Sequence, residues 1–95
     1  MKFWTILASK PFETESTRLW IEERRTRTCL RTLDATLQRR DLDEWLQRTA
    51  NQRGPHLWIL EHEGCDVMFS FKPLDCQVLL IWVRVRIGSH EGTRE

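Results

Sequence analysis

The end of the chain carries residue types that suit phosphate chemistry. Arg84 and Arg86 alternate along an apolar run, and His90 follows them. An imidazole can act as general base or acid, and positioned guanidinium groups stabilise charge that develops on phosphorus. His90, with His62 and Glu61, can therefore be cast as a proton carrier beside the phosphate-holding pair Arg84 and Arg86, with Arg94 behind them. The competing reading is a set of solvated surface side chains, because a lone surface histidine is more often inert.

Other chemistry is poorly supported. His56, His62, Cys65 and Cys76 are zinc-ligand types, but Cys76 lies past the far end of the strand that begins at Cys65. At about 3.3 Å per strand residue the separation is roughly 25 Å, and zinc needs ligands that converge on one point. The chain shows no nucleophile triad and no Gly-rich phosphate loop. No metal or cofactor is expected.

Composition narrows the classes further. Ninety-five residues fit one domain, with a formal net charge of +1, which does not demand an anionic partner. Such a length gives one core with little surplus stability, so a homodimer would be an easy way to gain more. Arg outnumbers Lys 12 to 3. That preference fits phosphate recognition by a planar fork, and it fits the coding bias of a GC-rich genome equally. Three cysteines, an odd number without redox spacing, suggest reduced thiols in a cytoplasmic protein. The apolar patch from Phe3 to Ala8 is too brief for a signal peptide, and the run from Val78 to Val83 is far too short for a membrane helix.

The elements that must position these residues follow from Gly and Pro. Neither occurs from Phe12 to Arg53, whereas all four glycines and two of three prolines lie from Gly54 onward. A helical first half and a strand-rich second half follow. Residues 2 to 8 read as a strand closed by Ser9-Lys10-Pro11. Phe12 to about Arg27 reads as an amphipathic helix, Leu30, Leu33 and Leu37 continue the helical spacing, and a short helix runs from Leu42 to Asn51. Asp41 with Glu44 has the form of a capping box, and Gly54 that of a C-cap followed by Pro55. Three strands then follow: His56 to His62, Cys65 to Lys72 and Gln77 to Ile87. The fold class is α+β: an N-terminal strand, two or three helices, and a three-stranded antiparallel meander, with the helices packed on one face of the sheet.

Alternation assigns the faces. Cys65, Val67, Phe69 and Phe71 form a core face, as do Leu79, Ile81, Val83, Val85 and Ile87. The first hairpin is read with a three-residue loop, His62-Glu63-Gly64, because Glu-Gly lacks the Asn or Asp that a tight type I′ turn prefers. That register sends Leu57 and Ile59 inward and gathers Trp58, His62, Met68, Lys72, Trp82, Arg84 and Arg86 on the opposite face. Stacking on Trp58 and Trp82, with phosphates on Lys72, Arg84 and Arg86, would suit a single-stranded nucleic acid. The same aromatic patch would equally suit a protein partner.

The element order, with Leu57-Trp58-Ile59-Leu60, Val67-Met68-Phe69-Ser70-Phe71 and Val83-Arg84-Val85-Arg86-Ile87-Gly88-Ser89-His90, resembles the RelE/ParE toxin superfamily. Members are small and often ribosome-dependent endoribonucleases. The resemblance implies an RNA or ribosome target, an antitoxin as protein partner, Arg84 and Arg86 on phosphate and His90 in proton transfer. The second reading is a non-catalytic accessory protein, as phages and viruses carry, that occupies a partner protein or nucleic acid. Its footprint would be Arg24, Arg25 and Arg27 with Arg31, Arg39 and Arg40, a group that the interspersed acids also suit to a solvated helix face.

Overall fold

The structure, a computed structural model, describes residues 4–86. Strand β1 spans Thr5–Ala8 and leads through Ser9 into helix α1, Lys10–Glu22. The Ser9 hydroxyl accepts from the Phe12 N–H at 3.3 Å, and Pro11 sits in the first turn, where a missing N–H costs nothing. The helical stretch breaks once before its expected end. Buried Thr26 donates its hydroxyl to the carbonyls of Glu23, at 2.7 Å, and Leu19, at 3.2 Å, which stabilises a 3₁₀ turn over Arg24–Thr26.

Helices α2, Arg27–Leu37, and α3, Leu42–Thr49, follow, separated by a break over residues 38–41. The capping box does not form. Asp41 turns its carboxylate onto Arg39, 2.8 Å from Nε, while the Arg39 guanidinium lies over the Trp45 ring. Nor does Gly54 cap α3. Ala50 is already extended, and Asn51–Gln52 form an additional strand, β2.

Strands β3 (Leu57–His62), β4 (Cys65–Lys72) and β5 (Gln77–Val85) complete a five-stranded mixed sheet in the order β1-β5-β4-β3-β2. Among the described residues only β1 and β5 run parallel. The α+β class therefore holds, and the expected three-stranded meander is extended by β2 to four antiparallel strands.

Two registers differ from the alternation reading. His62 pairs with Cys65 across a two-residue turn in which Glu63 has φ 49° and Gly64 φ 82°, both in the left-handed region that a type I′ turn requires. That one-residue shift sends Trp58 and Leu60 into the core in place of Leu57 and Ile59. In β5 the alternation changes phase midway. Phe69 pairs with Leu80 but Met68 pairs with Trp82, so Ile81 is an unpaired bulge residue. Val78 and Leu80 consequently face the core below the bulge and Val83 above it, which corrects the assignment of Leu79 and Ile81 to the core face. Ser9 fixes the bulge by donating to the Ile81 carbonyl at 3.1 Å.

The core lies between one sheet face and the three helices, built from Trp58, Leu60, Val67, Phe69, Phe71 and Val83 below and Leu19, Leu33, Leu37, Leu42 and Leu46 above. Trp4 closes one end, tilted on Phe71 at 5.2 Å between ring centres, with its indole N–H donated to the Arg39 carbonyl. Among the described residues no helix is long and apolar enough to cross a membrane.

Candidate functional site: the open face of the sheet

All buried helix residues belong to the one core, so among the described residues the other sheet face carries no helix. Strand pairing arranges its side chains in rows. Leu7, Leu79, Ser70 and Leu57 form the first, and Trp82, Met68, Ile59 and Asn51 the second. Arg84, Asp66 and Glu61 form the third. Leu7 and Trp82 are 44% and 41% exposed, large values for apolar side chains inside strands. Two apolar rows thus meet one charged row.

The charged row is internally neutralised. Arg84 Nε lies 3.4 Å from Asp66 Oδ2, and the Arg86 guanidinium bridges Asp66, at 3.1 Å, and Glu61. Asp66 is the better buried partner, so both cations converge on a carboxylate that water screens only in part. Arg86 is also anchored through its backbone N–H, donated to the Gly64 carbonyl at 2.9 Å. A cleft of about 460 Å³ opens above this cluster, lined by Asn51, Arg53, Ile59, Glu61, Asp66, Arg84, Val85 and Arg86. A notch of about 120 Å³ beside it reaches Met68 and Trp82.

The sequence-derived residues are partly gathered here. Trp82, Met68, Arg84 and Arg86 share the face as expected. Trp58 does not: it is 5% exposed and offers no ring face to a base. Lys72 sits at the other end of β4 from Asp66, about 20 Å along the strand from the arginines. His90, Arg94 and Ile87 lie outside the described residues. The alternation reading missed Glu61 and Asp66 as counter-ions. The signal was the acid on each side of the Glu63-Gly64 turn, which a two-residue loop places opposite one another.

His62 also moves to the helix side. Its Nε2 lies 2.9 Å from Thr32 Oγ1. Because that hydroxyl gives its only proton to the Thr28 carbonyl at 2.7 Å, it accepts from His62, which fixes the N–H on Nε2. Burial lowers the His62 pKa below its ordinary value, and Glu63 opposes this in part. Nearby, Cys29 and Cys65 are both buried in the one core, a common placement that spacing does not reveal. Burial pushes both thiols up, so neither is a ready nucleophile.

Three of the six arginines of the helical stretch are committed as well. Arg27 donates to the Trp20 carbonyl at 2.6 Å and covers its ring at 5.3 Å, Arg25 pairs with Glu23, and Arg39 holds Asp41. Compared with known proteins, the chain matches no family model, no curated protein and no solved structure.

Proposed function

We propose that this chain is a non-catalytic binding protein that occupies a partner protein through the open face of its sheet. One observation carries the reading: Trp82 stands exposed beside Met68 and Ile59 on a helix-free face whose arginines are already held by Glu61 and Asp66. Aromatic, Met and Arg side chains are what the centres of protein interfaces concentrate. A phosphate approaching Arg84 or Arg86 would have to displace carboxylates that repel it, whereas an apolar side chain gains from Trp82 and Met68 at once.

The test compares co-purification by the intact chain with that by Trp82→Asp and by Lys72→Ala. A partner lost with the first variant and kept with the second is expected. Circular dichroism checks that both variants stay folded, since Trp82 stands in mid-strand opposite Met68. Saturable binding of a single-stranded RNA 12-mer that weakens steeply between about 50 and about 200 mM salt refutes the protein-partner reading.

The second reading is the RNA-targeting protein of RelE/ParE type. The cleft favours it in one respect, since it sets Glu61, a proton acceptor, beside Arg84 and Arg86. Growth arrest on expression, relieved by Arg86→Ala with His90→Ala, would establish that reading. Harmless expression of the intact chain would end it.

A further inference from the structure

Among the described residues the sheet has two free edges of unequal kind. The β2 edge is only Asn51–Gln52. The β1 edge is four residues long, and its outward hydrogen-bonding groups can be assigned. Thr5 and Ser9 donate inward to the carbonyls of Cys76 and Leu80, both at 2.8 Å, so alternation turns the N–H and C=O groups of Ile6 and Ala8 outward. Trp4, the next outward position, already has its carbonyl taken by the Gln38 side-chain amide at 3.2 Å. Among the described residues nothing takes the groups of Ile6 and Ala8.

An apolar groove of about 480 Å³ lies on the helix side of this edge. Ile6 and Leu80 form its floor, with Trp20 and Ile21 of α1 and Leu30 and Leu33 of α2 as walls. Trp20 is 40% and Ile21 68% exposed. An unpaired edge and an uncovered groove that share Ile6 are two signs of one missing neighbour, since exposed strand edges are normally blunted or paired.

We propose that the neighbour is a second copy of this chain, joined by antiparallel pairing of the two β1 strands about a two-fold axis at Leu7. The outward groups are symmetric about that residue. Ile6 of each copy faces Ala8 of the other, and the two exchange all four hydrogen bonds. Leu7, on the open face, then meets Leu7 of the second copy. The axis is perpendicular to the sheet, so both α1–α2 grooves fall on the same side of the joined sheet and can cover each other. Charge fits the same arrangement. Lys10 stands at the C-terminal end of β1. Asp34 lines the groove one helical turn before Gln38, which binds at the N-terminal end. Both are exposed, and neither forms an ion pair among the described residues. Antiparallel pairing brings Lys10 of each copy to the Asp34 end of the other. This surface meets the open-face site only at Leu7, away from Trp82 and the arginines, and its test is separate.

Sedimentation equilibrium of the intact chain across a concentration series reads the association directly. A dimer is expected. Ala8→Pro removes an outward N–H that no intramolecular bond uses, at an edge where proline is tolerated, and by symmetry it removes two intermolecular bonds. Its dissociation constant should rise about thirtyfold. Lys10→Glu should weaken the dimer about tenfold or more, and Lys10→Glu with Asp34→Lys should restore it. Circular dichroism of each variant establishes that it is folded. A chain that stays monomeric at every concentration overturns the proposal. So does a dimer indifferent to Ala8→Pro and Lys10→Glu, or one that Trp82→Asp dissociates instead.

Discussion

Replacing Glu63 by Asn tests the turn on which the burial of Trp58 depends. Glu63 sits at φ 49° and Gly64 at φ 82°, in a two-residue loop between His62 and Cys65. A side chain with Cβ in the left-handed region costs about 1–2 kcal/mol, and Asn is among the few residues that visit it readily. Glu63 is exposed, so little packing opposes the gain. Glu63→Asn should therefore stabilise the fold by about 0.5–1 kcal/mol, and for a domain of this size each kcal/mol moves Tm by about 4–8 °C. Thermal unfolding followed by circular dichroism measures the shift. Working near pH 8 keeps His62 neutral in both states, so that loss of the Glu63 charge does not enter. Gly64→Ala is the control. A Cβ there meets nothing within 4 Å, so its cost is backbone conformation alone, about 1 kcal/mol of destabilisation. In a three-residue loop Gly64 would still be left-handed but Glu63 would not. An unchanged or lowered Tm for Glu63→Asn would refute the two-residue turn and, with it, the inward placement of Trp58.

Two further measurements address the helix side of the sheet. The folded-state pKa of His62 is lowered by burial from its ordinary value, so the unfolded chain binds the proton more readily. The stability associated with neutral His62 is thus complete above about pH 6.5 and declines as pH falls through the lowered folded value. His62→Gln should flatten that decline in a denaturant series run at several pH values, and an unchanged slope would show that His62 is not its source. Burial of Cys29 and Cys65 predicts that one thiol, the half-buried Cys76, reacts promptly with an aromatic disulfide in the folded protein, and that all three react in denaturant. Two or more prompt thiols would contradict the buried pair.

Much of the architecture was legible because it rests on local signals. Leu30, Leu33, Leu37, Leu42 and Leu46 mark α2 and α3 by spacing alone, and Cys65, Val67, Phe69 and Phe71 mark the buried face of β4. Nonlocal features were not. The Glu-Gly turn breaks the residue preference for its type, and the surrounding register overrides that preference. The bulge at Ile81 is invisible in a run where both faces are apolar, since either phase of alternation fits. The short β2 strand has no pattern of its own, because two residues cannot show a period. The open-face site was half legible for the same reason. Trp82, Arg84 and Arg86 follow from their own strand, whereas the Glu61 and Asp66 that neutralise them depend on pairing between strands.

The Ile81 bulge gives this chain an unusual tolerance of a change in length. Deletion of that one residue restores unbroken alternation along β5 with Leu80 still opposite Phe69 and Trp82 still opposite Met68. Val83 would stay inward, and Trp82, Arg84 and Arg86 would stay on the open face. The exchange of interior and exterior comes instead if Ile81 is kept and drawn into the ladder, which turns Val83 outward and buries two guanidinium groups. The surface chemistry of the open face thus depends on the hydroxyl of Ser9 that holds Ile81 out of register, as much as on the arginines themselves.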